Sequence, residues 1–185
     1  MKRFVLAVAF VCVASFVSGQ DFRKTTWGMT KSQVKASEDL EIMEQDEDVI
    51  MYETTLAHND VYVIYVFTNG KLTRSKYVLN EVHLNSQDFV ADFENFERLL
   101  TKKYGDPYEH KKNWLDKDTY GRKKENWGRL IKQGDLTIYS SYKTDETDLT
   151  VIIYGEDYFT IVAIEYTSTD PELNKLEEEN ILEDL

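Results

Sequence analysis

Asp60-Val61-Tyr62-Val63-Ile64-Tyr65-Val66-Phe67, with Asn69-Gly70 close behind, sets the architecture of this chain. Seven of those eight residues are β-branched or aromatic, which suits a pleated central strand. Asn and Gly both tolerate positive φ, so a tight hairpin should follow, with residues 71–79 returning antiparallel. Upstream, residues 49–56 supply a third strand, with His58-Asn59-Asp60 as its turn. Leu40-Glu41-Ile42-Met43 reads as a fourth.

Outward from this hairpin the period changes. Downstream, Phe89, Phe93, Phe96, Leu100 and Tyr104 recur at helical spacing, opened by Ser86 as cap and closed by Gly105 and Pro107. Such a stripe belongs to a core, so this helix should lie across the sheet. Residues 117–131 suit a further helix, with Trp127, Leu130 and Ile131 as its contacts, though Gly121 weakens it. Strands resume at 136–142, 149–154 and 158–166, with turns at 144–147 and 155–157. Near the start, Thr30 and Gln33 have capping-box spacing for a short helix from Lys31 to about Glu38, and Met29 and Val34 stand at staple positions.

Strands in hairpin-linked runs, separated by helices, give an α+β fold. The expectation is antiparallel sheet, in one piece or two, with two or three helices packed on one face. One domain is expected over residues 20–169, divisible into half-domains at about 20–105 and 106–169, with an acidic tail over 170–185.

Residues 1–19 read as a secretory signal peptide: Lys2 and Arg3, then an apolar run, then Val17-Ser18-Gly19 at the cleavage site. The run is shorter than the ~20 residues of a spanning helix. Cys12, the chain's one cysteine, lies inside that run, so the mature chain has no thiol for disulfides, nucleophilic catalysis or metal binding. Export to a periplasm or an extracellular space follows. The 185 residues hold 34 Asp+Glu against 22 Lys+Arg, a net charge of −12, and loss of the leader takes it to −14. That balance argues against nucleic acid as a partner, because phosphates call for a basic surface.

Trp27-Gly28-Met29-Thr30-Lys31-Ser32-Gln33-Val34 resembles the GMT-x-x-QV signature of small exported bacterial domains. These include the SmpA/OmlA outer-membrane assembly lipoproteins and the β-lactamase inhibitor protein family. In that group the motif opens a short helix ahead of an antiparallel sheet. A wider likeness joins this chain to bacterial secreted proteins with a WGM start, a Y-x-F-x-N-G-K-L hairpin and a KYG-x-P helix end. Here those are residues 65–72 and Lys103-Tyr104-Gly105-Asp106-Pro107. The chain departs from the group in having no cysteine placed for lipidation and no second GMT motif. The resemblance implies an envelope binding or scaffold module rather than an enzyme, with Trp27, Gly28, Met29, Thr30, Gln33 and Val34 as its structural motif.

No residue pattern demands catalysis. His58, His83 and His110 are isolated, and no HExxH is present. The run from Asp116 to Gly121 begins like a calcium loop, but Tyr120 and Trp127 occupy positions that require oxygen ligands. Ser140-Ser141 lacks a glycine elbow, and no carboxylate pair stands out. No catalytic residue, cofactor or metal is therefore assigned.

Charge distribution is the most distinctive surface feature. Residues 101–132 carry ten Lys/Arg and five Asp/Glu, whereas residues 170–185 carry seven acids and one lysine. Lys111, Lys112, Arg122, Lys123, Lys124 and Arg129 are the candidate basic face for an envelope protein or an anionic ligand, with the acidic tail poised to fold back and mask it. The leading expectation is an exported, non-catalytic binding or scaffold protein. One alternative is a carrier of a small hydrophobic ligand, its cavity lined by Tyr62, Tyr65, Tyr77, Tyr139, Tyr142, Tyr154 and Tyr166; a less favoured one is a carboxylate-dependent hydrolase.

Overall fold

The structure, a computed structural model, describes residues 19–115 and 123–183. The expected leader up to residue 18, Arg122 and the calcium-like run at 116–121 lie outside these residues. Both strand runs join one eight-stranded sheet. Its strands are β1 (Ile42–Gln45), β2 (Val49–Leu56), β3 (Asn59–Thr68), β4 (Lys71–Leu79), β5 (Glu109–Trp114), β6 (Leu136–Lys143), β7 (Thr147–Glu156) and β8 (Phe159–Ser168). Their spatial order is β1-β2-β3-β4-β8-β7-β6-β5, antiparallel throughout. Two four-stranded meanders thus meet through their last strands, with Tyr77 opposite Ile164.

Side chains alternate between faces, so cross-strand partners form rows. One row on the inner face runs Tyr65, Ser75, Tyr166, Leu149, Tyr142, and the next runs Val63, Tyr77, Ile164, Val151, Ser140, His110. Helix α1 (Lys31–Ser37), helix α2 (Ser86–Tyr104) and helix α3 (Trp127–Lys132) cover that face. The α2 stripe buries Val90, Phe93, Phe96 and Leu100, and the helix packs on β6, β7 and β8. Gly105 ends α2 at φ 87°, ψ −170°, a backbone geometry only glycine adopts readily. The helix is capped one residue earlier than expected: Asn85, not Ser86, accepts from Gln87 N through its side chain.

The short motif near the N-terminus serves both meanders. Gly28 N donates to Leu72 O and Leu72 N to Met29 O, while Trp27 Nε1 donates to Thr147 Oγ1 at the start of β7. Thr30 and Gln33 form the full capping box, and Val34 is buried. At the far end of α1, Glu38 accepts from Arg23 and from the Tyr65 hydroxyl, drawing Phe22 onto Tyr65, Tyr77 and Tyr166.

Three expectations need correction. Residues 109–114 form the edge strand β5, and among the described residues of the segment expected as a helix, Trp127–Lys132 is α-helical after a 3₁₀ turn at Lys124–Asn126. The helices do not share a face. Helix α4 (Pro171–Glu183) forms in the acidic segment, packs on β3 and β4, and pairs Glu177 with Arg74, which points away from Tyr77 and the inner face. Finally, among the described residues α4 lies away from the basic strand β5, because β4 and β5 are four positions apart in the sheet. Asp170 starts α4 by accepting from Glu172 N through its side chain, so an acidic composition still makes a helix.

Candidate binding surface

The end of the sheet where β4 leaves and β8 begins carries the most conspicuous surface among the described residues. Val78 pairs with Ala163, so the chain beyond β4 runs beside the start of β8. Two loops from the two meanders meet there. In the first, residues 80–85, the backbone presents Val82 and Leu84 outward, at 93% and 105% exposure, on either side of an inward His83. His83 Nε2 lies 2.6 Å from Asp92 Oδ2, and its ring meets the Phe89 ring edge-on. Glu81 accepts from Asp60 N, which ties the loop to β3.

The second loop is the β7–β8 turn, where Asp157 and Tyr158 hold φ of 49° and 66° without any glycine. The Asn69-Gly70 hairpin adopts the same left-handed geometry with the expected residues. The β2–β3 turn at Ala57 and His58 adopts the same geometry, so the tight strand pairing imposes it at both turns. Here Tyr158 and Phe159 stand 78% and 72% exposed. Val82, Phe89, Tyr158, Phe159 and Lys132 line a cleft of about 220 Å3 between the two loops. Four large side chains this exposed present on the order of 500 Å2 of apolar surface, the size of the largest apolar patch on a typical monomer, which is often a functional one.

The described basic residues of the set named above are engaged as follows. Lys111 and Lys112 are neighbours on β5, so they face opposite sides. Lys111 pairs with Glu109, while Lys112 donates to His110 Nε2 and stands over the Trp127 ring. Lys124 pairs with Glu94, Arg129 donates to Gln133, and Lys123 is exposed ahead of the 3₁₀ turn.

The tyrosines divide as well. Tyr62, Tyr139 and Tyr154 fall on the outer face, whereas Tyr65, Tyr77, Tyr142 and Tyr166 face inward. Tyr65, Tyr77 and Tyr166 pack on Phe22, and Tyr77 on Tyr166, while the Tyr142 hydroxyl is bonded to Thr101 and the Glu97 carbonyl.

One cluster brings serine, histidine and carboxylate together: Ser140, His110 and Glu97. Its geometry is not that of a nucleophile relay, in which the imidazole bridges through its two nitrogens. Ser140 Oγ and Glu97 Oε1 both meet His110 Nδ1, at 2.7 and 2.9 Å, and Nε2 is taken by Lys112. Ser140 is fully buried and donates to Glu97. The network ties β5 and β6 to α2. Among the described residues no three His, Cys, Asp or Glu side chains gather to hold a metal, and no helix is long and apolar enough to cross a membrane.

Comparison with protein-family models, curated proteins and solved structures finds no match.

The surface made by residues 80–85 and 157–159 was not legible in the sequence. Val82-His83-Leu84 continues the alternation of a strand, and Tyr158-Phe159 reads as the opening of another. Only the pairing of β4 with β8 puts the two pairs at one place. The signal available was weak: Val82 and Leu84 shortly after β4, and Tyr158-Phe159 at the opening of β8, with Glu81 and Asp157 beside them.

Proposed function

We propose that this protein is an exported, non-catalytic binding or scaffold protein of a bacterial cell envelope. Its partner is engaged through the surface formed by Val82, Leu84, Tyr158 and Phe159. The observation that carries the reading is the concentration of four exposed apolar side chains, from two separate loops, on a chain of net charge −12. The leader-like residues 1–19 and the likeness of residues 27–34 to exported envelope domains support the compartment. The division of the tyrosines between two faces favours this reading over a tyrosine-lined carrier.

Affinity capture from envelope extract, with the mature protein as bait, tests this. The bait runs beside a variant with Val82, Leu84, Tyr158 and Phe159 all replaced by serine. A stoichiometric partner held by the first and lost by the second supports the reading. Capture by both baits to the same extent overturns it.

A further inference from the structure

The surroundings of this surface indicate what kind of partner it takes. Glu81 lies in the cleft wall, Asp88 is exposed in the first turn of α2 next to Phe89 in the chain, Asp157 precedes Tyr158, and Glu156 pairs with Phe159 across the turn. Of these acids Glu81 lines the cleft together with Lys132, and the other three are exposed beside its apolar residues along the chain or across the β7–β8 pairing. A second copy of this chain would bring like charges together, and an anionic lipid surface would meet the same repulsion. A cationic partner gains at every one of these positions. The cleft, at about 220 Å3, is the size of a single large side chain rather than of a drug-sized ligand.

We propose, building on the binding reading above, that the site docks a cationic amphipathic segment of a partner protein. An apolar anchor of that segment enters the cleft over Phe89, between Val82 and Phe159. Its Lys or Arg side chains then lie against Glu81, Asp88, Glu156 and Asp157. His83 acts in this as a positioning residue: its contacts with Asp92 and Phe89 hold the 80–85 loop so that Val82 and Leu84 stay turned outward. Recognition of this kind uses a helix or turn that presents apolar anchors at i and i+3 or i+4 with cations between them.

The test titrates the mature chain with three designed peptides of equal length: an amphipathic Leu/Lys helix, its Leu/Glu counterpart, and a Ser/Lys counterpart without anchors. The proposal expects binding of the Leu/Lys peptide at least 10-fold tighter than of either control. It also expects about a 10-fold loss in the Val82→Ser/Phe159→Ser double variant, and a separate loss in Asp157→Asn/Glu81→Gln. Equal affinity of the double variant for the Leu/Lys peptide overturns it, because the attraction would then be general to an acidic protein. Equal binding of the Leu/Lys and Leu/Glu peptides, both weakened by the double variant, overturns the cationic assignment while leaving a binding surface in place. Flotation with phosphatidylcholine vesicles, or concentration-dependent dimerisation, lost in the double variant and without peptide binding, assigns the surface to lipid or self-association and overturns the proposal. Failure of the binding reading itself shows differently, as extract capture that ignores the surface.

Discussion

Arg23 forks onto Glu38, with Nε 2.8 Å from Oε1 and Nη2 3.1 Å from Oε2, and the Tyr65 hydroxyl donates to the same Oε1. The Glu38 side chain is wholly buried and Arg23 partly so. A bidentate fork with a third donor satisfies the carboxylate, which is what makes a buried charge tolerable. The consequence is architectural: the segment from Phe22 to Glu38 is clasped onto the inner face of β3.

Removing one partner of that clasp strands the other. Glu38→Ala leaves the Tyr65 phenol without its acceptor and the Arg23 guanidinium without its carboxylate, with Tyr77 still beside it, and is expected to lower unfolding free energy by about 3 kcal/mol. Lys24→Ala breaks a pair whose Asp39 partner is solvated, and should leave the denaturation midpoint unchanged. Urea denaturation of both variants makes the comparison. Equal effects would mean that the clasp is a surface contact.

The aromatic cluster beneath the clasp predicts alkaline sensitivity. Burial, with the Glu38 carboxylate beside it, holds the Tyr65 phenol well above the ordinary tyrosine range, and burial does the same to Tyr166. In the unfolded chain these groups ionise near pH ~10. Their contribution is therefore complete below that pH and is lost as pH rises above it, because the unfolded state releases protons the folded state retains. Thermal midpoints should fall above pH ~10. The tyrosinate absorbance of these residues should rise together with unfolding, not before it.

Two glycines fit α3 between its neighbours. A Cβ on Gly155 would stand 1.9 Å from Ile131 O, and one on Gly128 2.4 Å from the Ser86 carbonyl carbon. Both obstacles are backbone, so neither yields cheaply. Gly155→Ala should lower stability by roughly 1–3 kcal/mol or more, with α3 displaced from β7. Chemical denaturation and the near-ultraviolet signal of Trp127 report the two effects.

Stability and binding should separate between two phenylalanines. Phe93 is buried under α2, and Phe93→Ala is expected to cost ~3–5 kcal/mol. Phe159 is exposed, so Phe159→Ala should leave the melting midpoint in place while weakening partner capture. A melting midpoint unchanged by Phe93→Ala would contradict the core assignment.

Much of this framework was legible in the residues. The β-branched run and Asn69-Gly70 locate β3, and β2 and β4 follow with the bounds observed. Strand β5 was not legible, because Glu-His-Lys-Lys-Asn-Trp has no apolar alternation. An edge strand needs none, and its lysines also discourage further strand pairing. The turn at Ala57 and His58, like that at Asp157 and Tyr158, adopts positive φ without glycine, which local preference argues against and strand pairing imposes. The clasp of Arg23 and Glu38 joins residues 15 apart in sequence and depends on Tyr65, so no local pattern announces it. The binding surface was hidden for the same reason: exposure is a property of the assembled sheet.

Hydrogen exchange of the mature chain, with and without its captured partner, tests the central claim most directly. The account predicts slowed exchange at residues 80–85 and 156–160, with β5 and residues 123–132 unchanged. Slowed exchange confined to β5 and residues 123–132, with the two loops exchanging as before, would contradict it.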